Sequence, residues 1–436
     1  MKFSVLRSEI LRGAYDAAFR KLYGADCELE KIRARYAGAA EGFEKQYGAL
    51  IDENTEVSLF SVPGRSEISG NHTDHNHGKV LAASISLDII AVACRNDKGE
   101  IRVKSEGFPE DIVSLSDVET VRKEEFFKAS AIIRGMCDGF CKNGYADGGF
   151  YAYTTSNVLK GSGLSSSAAF EDMIGNILNH FCNGGKVDNI EIAKIAQYAE
   201  NVHFGKPCGL MDQMACAVGG FVAIDFNDPK NPIVEKPNFD LSSHGYCLCI
   251  VNTGGNHADL NEDYASIPAE MKSVAAFFGK SVLREITKKD VLDNIAALRE
   301  KCGDRAVMRA LHFLNENVRV DAAVNALKND DIGGFLKAIR ASGLSSSCLL
   351  QNTFSTKCVT EQGIALALAV AGEVLDNKPG TAYRVHGGGF AGTIQAFVPN
   401  EYVNEFNAAM THVFGEGSAY VLKVRLIGAT MLDALL

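Results

Sequence analysis

The stretch Val158-Leu-Lys-Gly-Ser-Gly-Leu-Ser-Ser-Ser-Ala-Ala169 decides how this chain is read. It is a glycine-serine loop running straight into a helical pattern over Ala168 to Phe181. Strand-like Gly149 to Asn157 precedes it, with Tyr151, Tyr153 and Thr155 on one face. A helix start exposes unpaired N–H groups and partial positive charge. Gly161 and Gly163 lack side chains, so a phosphate chain can approach the backbone closely. Ser162, Ser165, Ser166 and Ser167 add hydroxyls, and the last three are placed to bond phosphate oxygens or a metal. No Lys follows the glycines, so this is not the Gly-x-x-x-x-Gly-Lys-Ser/Thr loop. Strand, glycine loop, helix is nonetheless the order a nucleotide-phosphate cradle needs. Ser342-Gly-Leu-Ser-Ser-Ser347 repeats residues 162 to 167 identically, but Ala341 stands where the loop has Gly161. A helical pattern, Asp331 to Arg340, feeds this copy, which therefore reads as a helix junction.

Working outward, 436 residues exceed one typical core and imply two domains. The chain is 46% hydrophobic and 22% charged, an ordinary globular composition. A formal charge of -10 argues against nucleic acid or an anionic membrane as partner, so an anionic substrate must be met by local cations and backbone amides. No apolar run approaches the roughly 20 residues of a membrane span, and the N-terminus has no apolar signal core. The twelve cysteines include no Cys-x-x-Cys pair, which fits reduced thiols in the cytoplasm.

Residues 1 to 50 read as amphipathic helices with Leu6, Ile10, Leu11 and Tyr15 at helical spacing. Val57 to Val62 reads as a strand broken by Pro63-Gly-Arg65. A polar loop, Ser66 to Gly78, then precedes an apolar β-rich run, Val80 to Cys94. The loop's His72, Asp74, His75 and His77 suggest a transition metal or a sugar. Their spacing fits no standard metal pattern, whereas Asp, Asn and His beside Arg65 suit directional bonds to hydroxyls. Lys123 to Cys141 reads as one helix burying Phe126 and Phe127, and Ile190 to Asn201 as another. Asp212 stands among apolar residues at a helix start, where a carboxylate can orient or deprotonate a hydroxyl. Glu200, on the preceding helix, is a candidate metal ligand. The turn-rich Phe226-Asn-Asp-Pro marks a boundary. Near the end, His386-Gly-Gly-Gly389 joins two strands through a loop that lets backbone pass close to a ligand.

Three motifs in fixed order resemble those of the GHMP small-molecule kinases, in particular their galactokinase branch. Pro63-Gly-Arg65 with Gly70-Asn-His-Thr-Asp74 resembles the first motif, Gly161 to Ala169 the second, and His386-Gly-Gly-Gly-Phe-Ala-Gly392 the third. Pro207-Cys-Gly-Leu-Met-Asp-Gln213 is similar to the galactokinase segment that carries the catalytic Asp. The resemblance runs from about residue 35 to the C-terminus. It implies an α+β protein of two domains with the active site in the cleft between them. The division is a helical extension over 1–30, an N-terminal domain over 31–228 and a C-terminal domain over 229–436. It further implies ATP along residues 161–167, including Leu164, with Ser167 and Glu200 as Mg²⁺ ligands. Asp212 would act on the anomeric hydroxyl of the sugar beside Arg65, and His72, Asp74, Gly209 and Tyr264 fall where galactokinases contact the sugar.

The chain departs from the family at one telling place. Galactokinases have Arg-Val-Asn-Leu-Ile-Gly-Glu-His-Thr-Asp-Tyr, and here the run from Arg65 is Arg-Ser-Glu-Ile-Ser-Gly-Asn-His-Thr-Asp-His. Asn71 replaces the family Glu; it can bond a sugar hydroxyl and, being neutral, would tolerate a carboxylate at that carbon. After Tyr264, Ala-Ser-Ile-Pro268 replaces the family's Asn-x-Arg-Arg. The expected activity is ATP-dependent phosphorylation of galactose to α-D-galactose 1-phosphate. The alternatives are a 1-kinase for galacturonate or N-acetylgalactosamine, and a non-catalytic sensor of galactose and ATP. Oligomeric state stays open.

Overall fold

The computed structural model describes residues 1–158, 163–255 and 260–436. Helices α1 (Phe3–Arg12), α2 (Asp16–Tyr23) and α3 (Leu29–Tyr47) open the chain. Their apolar faces carry Leu6, Ile10, Phe19, Tyr36 and Phe43 into a cluster with Leu59, Ile90, Val92 and Tyr151. Tyr47 stacks on Tyr151 at 5.1 Å between ring centroids. A Cβ on Gly42 would lie 2.3 Å from the Tyr153 ring, so the absence of a side chain sets how closely α3 approaches.

Strand β1 (Ser58–Ser69) does not end at Pro63-Gly64-Arg65 as the sequence suggests. It bulges there and continues, paired with the long β2 (Lys79–Arg95) on both sides of the shift. The bulge has a cause: a Cβ on Gly64 would sit 2.7 Å from the Leu164 carbonyl oxygen. That carbonyl instead accepts the Arg65 N–H at 3.1 Å, so the strand opens to receive the loop. Hairpin strands β3 (Glu100–Ser105) and β4 (Glu110–Ser114) follow.

Helix α4 is shorter than its apolar pattern suggests, Ala129–Lys142 rather than from Lys123. One tight turn over Lys123–Glu125 precedes it, and Phe127 adopts a φ of 63° that no continuous helix accommodates. Phe127 is accordingly 67% exposed, with its ring edge on Phe204, not buried. Then come β5 (Phe150–Ser156), α5 (Ser166–Asn183), α6 (Asn189–Tyr198) running into a wider π-type turn over Ala199–Phe204, α7 (Met211–Val218), β6 (Phe221–Asp225) and β7 (Ile233–Glu235).

The remainder comprises β8 (Tyr246–Asn252), α8 (Asn261–Phe277), α9 (Lys288–Asp293), α10 (Ile295–Cys302), α11 (Asp304–Lys328), α12 (Ile332–Ser345), α13 (Gly363–Leu375), β9 (Ala382–His386), β10 (Thr393–Pro399), α14 (Val403–Phe414), β11 (Ala419–Leu422) and β12 (Thr430–Met431). The second Ser-Gly-Leu-Ser-Ser-Ser copy is not a junction; it is helical throughout, from the end of α12 into a π-type turn over Ser346–Leu350. Its Gly343 lets α12 lie on β9, since a Cβ there would stand 2.7 Å from that of Arg384.

One sheet runs β12-β1-β2-β5-β3-β4, with β6 beside β2 and β7 beside β6; the other runs β11-β8-β10-β9. All pairs are antiparallel except β3 with β5. The first sheet thus draws strands from both sides of residue 228. Its inner face, with α4, α5 and α6, forms the largest core, which also takes in Leu248, Ile250 and Phe397 of the second sheet. Buried Asp88 on β2 joins distant segments, accepting from Tyr23 (2.5 Å) and Arg35 (2.5 Å) at the N-terminus and Arg425 (3.1 Å) near the C-terminus. Among the described residues, no helix is long and apolar enough to cross a membrane.

Candidate active site

The β1 bulge turns Arg65 inward, and the start of α7 brings Asp212 to meet it. The guanidinium grips the carboxylate with both arms, Nε to Oδ1 at 2.7 Å and Nη2 to Oδ2 at 2.5 Å. Arg65 Nη1 also donates to the Gly163 carbonyl, and the Ser165 hydroxyl donates to Asp212 Oδ2. Ser165 holds a left-handed φ of 56° just before α5, which turns its hydroxyl toward Asp212 and away from its own helix. Burial alone would raise the Asp212 pKa, but Arg65, Ser165 and Lys206 outweigh it and hold the carboxyl below the usual range. Gly161 and Ser162 lie outside the described residues. Leu164 is buried, with its carbonyl on Arg65.

Ser166 and Ser167 begin α5 and face a hollow of about 550 Å³ that Phe108, Lys128, Phe170, Glu171 and Phe204 also line. Apolar rings beside a helix N-terminus suit a base at one end and phosphates at the other. Close by, Gln213 Nε2 bridges two buried carboxylates, Glu171 at 2.9 Å and Glu200 at 2.8 Å. Lys206 donates to Glu200 at 3.1 Å. Burial and the charge of Glu200 push the Glu171 pKa well up, and Glu171 Oε1 is buried without a partner. Two converging carboxylates with an orphaned oxygen are a donor set that fits a hard cation. The sequence reading selected Ser167 and Glu200 but passed over Glu171. The signal was present, since Glu171 follows Ser167 by four residues on one face of α5.

The polar loop after β1 closes a second, smaller cavity of about 150 Å³, whose walls include Glu67, His72, Asp74, Met211 and Gly388. His72 bonds the Gly388 carbonyl through Nε2 at 2.8 Å, and burial lowers its pKa. Asp74 faces Gly209, where a Cβ would stand 3.1 Å from Oδ2. Tyr264 supports the same wall from behind: its hydroxyl donates to Gly389 at 3.0 Å, and a Cβ on Gly388 would meet its ring at 2.6 Å. His75 is exposed beside Asp74.

Asn71 behaves differently from expectation. It is fully buried, and its amide nitrogen donates to Glu67 Oε1 (2.8 Å) and to the Gly387 carbonyl (2.7 Å). Its amide oxygen accepts from Asn352 at 2.7 Å and from Ser346 at 3.5 Å. No capacity is left for a sugar hydroxyl, because the glycine loop and the turn after α12 converge on it. His386, in the third motif, is buried against Gly163: a Cβ on that glycine would stand 3.4 Å from its Cε1. Burial and the cations Arg65 and Arg384 push its pKa down to about 3, so the ring is neutral.

Comparison with known proteins agrees with this geometry. Residues 130–220 match the family described as GHMP kinases N terminal domain, and residues 41–95 match the galactokinase galactose-binding signature. The galactokinase of Streptomyces coelicolor is 28% identical over 379 residues, covering 86% of this chain and 92% of that protein. That of Clostridium acetobutylicum is 29% identical over 386 residues, covering 84% and 93%. Lactococcus lactis galactokinase, crystallised with galactose, superposes with a TM-score of 0.71 at 25% identity, covering 89% of this chain and 99% of that one. A mevalonate kinase shares the fold at a TM-score of 0.59 and 13% identity. With the bulged Arg65, its Asp212 partner and the helix-start serines in one place, the chain carries a GHMP kinase N-terminal domain and a galactokinase galactose-binding signature, and it is similar to galactokinases over most of its length.

Proposed function

We propose that this protein transfers the γ-phosphoryl group of ATP to the anomeric hydroxyl of galactose, giving α-D-galactose 1-phosphate and ADP. One observation carries the reading. Asp212 is clamped by Arg65 and bonded to Ser165 at the start of α5, while its neighbour Met211 lines the acid-walled cavity. A hydroxyl held on Asp212 from that cavity is therefore presented to phosphates lying at the α5 N-terminus. The anomeric oxygen attacks the γ-phosphorus, the bond to the bridging oxygen breaks, and ADP leaves with that electron pair. Since Arg65 keeps Asp212 ionised and weakly basic, the carboxylate first orients the hydroxyl and takes its proton late, once the bond to the leaving oxygen is largely broken. Arg65, with a charge delocalised over its fork, offsets charge on the transferring group.

Ser167, Glu200 and Glu171 would hold Mg²⁺, which neutralises phosphate charge. Among the described residues no three His, Cys, Asp or Glu side chains form a preformed metal site. This fits an ion that takes one or two carboxylates and completes its shell with nucleotide oxygens. His72, Asp74 and Gly209 would line the sugar site, with Tyr264 bracing its glycine wall. We further assign two lobes, 31–228 and 229–436, with 1–30 as an extension; the second sheet, drawn wholly from residues beyond 228, supports this, while β7 and β12 of the second lobe extend the first sheet. The twelve free cysteines support residence in the cytoplasm.

The test is turnover of galactose with Mg-ATP by the purified protein, followed as ADP and sugar 1-phosphate. Asp212→Asn is expected to lower kcat by about 100-fold or more while ATP binding persists. Full activity in that variant removes Asp212 from the mechanism, and ligand binding without any turnover in the parent protein turns the reading into a sensor.

A further inference from the structure

We propose that Glu67, not Asn71, is the side chain through which this protein's cavity wall accepts a hydrogen bond from a sugar hydroxyl. The inference rests on the sugar-kinase reading above and assigns that site's specificity. Three observations converge on it. Glu67 lines the cavity of about 150 Å³ together with Asp74, His72 and Met211. Its carboxylate has one oxygen in use, Oε1, which accepts from Asn71 at 2.8 Å. Its Oε2 has no hydrogen bond to any described residue and is not among the sealed polar atoms. Asn71 borders the same cavity, but it is fully buried with both amide atoms committed to Glu67, Gly387, Asn352 and Ser346.

The sequence carries the same message once the contact is known. Compared with the galactokinase motif quoted above, this chain has Glu67 where the motif has Asn, and Asn71 where it has Glu. The two residue types have exchanged places, and in the fold they are hydrogen-bonded to each other. A single exchange would have altered both charge and pairing. The double exchange retains one carboxylate and one amide across the two positions and delivers the carboxylate from β1 in place of the loop. Asn71 then acts as a positioning residue: its amide holds Oε1, which leaves Oε2 turned to the cavity.

The chemical consequence reverses what Asn71 alone suggests. With Glu67 and Asp74 on its walls, the cavity presents two acids, and a uronate would meet like charge in a confined space. The site therefore selects neutral hexoses that offer a hydroxyl donor, and disfavours galacturonate.

The experiment measures kcat/KM for galactose and for its 2-, 3-, 4- and 6-deoxy analogues with the parent protein and Glu67→Gln. Gln keeps an acceptor for Asn71, and unfolding temperature reports whether the fold is intact. We expect galactose to lose on the order of 10- to 100-fold in kcat/KM, mostly through KM, as a charge-assisted hydrogen bond weakens. One deoxy analogue, lacking the hydroxyl that Glu67 holds, is expected to be used equally well by both proteins. Glu67→Asp, which keeps the charge but withdraws the oxygen by about one methylene, is expected to give the same analogue-specific pattern. Equal loss across all analogues, or no loss for any, overturns the assignment of Glu67. Absence of galactose turnover by the parent protein overturns the sugar-kinase reading itself, which is a different result.

Discussion

Replacing Arg65 with Met should move the acid limb of the pH-rate profile upward. In the folded protein two opposing effects act on Asp212: burial raises its pKa, and the Arg65 clamp lowers it below the ordinary value of 3.8. The ionised carboxylate is the working form, so activity persists until pH falls through that lowered value. Met fills the space but carries no charge, leaving burial unopposed except by Ser165 and Lys206. Breaking a fully buried ion pair costs about 3–5 kcal/mol. Asp212 is 33% exposed at its side chain, so solvent recovers part of this, and about 2 kcal/mol is the better figure. At 1.36 kcal/mol per unit, the limb should rise by about 1.5 pH units. The linkage sign agrees: a depressed carboxyl stabilises the fold above its unfolded pKa and loses that contribution as pH falls through the folded value. The stability gap between parent and variant should thus close on acidification. The assay is kcat/KM from about pH 3 to about pH 8, with circular dichroism at each point to show that both proteins remain folded. An acid limb at the same pH in both proteins would refute the argument, because the titrating group would not be the one Arg65 holds.

Two further outcomes follow from the same structure. Ser167→Ala and Glu200→Gln should each raise the Mg²⁺ concentration for half-maximal activity by about 10- to 100-fold, measured by titration at saturating ATP; Ser347→Ala, in the helical copy, should leave it unchanged. Asp88→Asn should destabilise the protein by about 3 kcal/mol in urea unfolding near neutral pH, since Arg35 and Arg425 lose a buried partner. Arg35 and Arg425, with burial opposing them, hold the Asp88 pKa low, so this difference should shrink as pH falls.

Local chemistry made much of the site legible. The cradle at Ser165–Ser167 could be read because a helix start, glycines and hydroxyls are contiguous, and their physics needs only a few neighbouring residues. Asp212 at the start of α7 and Arg65 after a Pro-Gly pair were visible for the same reason. The Phe126–Phe127 pair misled the reading of α4 because apolar pattern does not report a left-handed φ, which here follows from docking on Phe204. At Pro63-Gly64 the sequence predicts a break; the approach of the Leu164 carbonyl, about a hundred residues later in the chain, makes it a bulge.

By itself the sequence determined the α+β class, the likeness to galactokinases, the serine-rich helix start at Ser165–Ser167 and the candidates Arg65 and Asp212. It did so because those features are contiguous motifs whose backbone demands are local. Tertiary structure alone decided which polar residues face a ligand. Asn71 and Glu67 sit four residues apart and look interchangeable on paper, yet Gly387, Ser346 and Asn352, all from more than 270 positions away, saturate one and leave the other open. Hydrogen-bond capacity is finite, and only the folded neighbourhood determines where it is consumed.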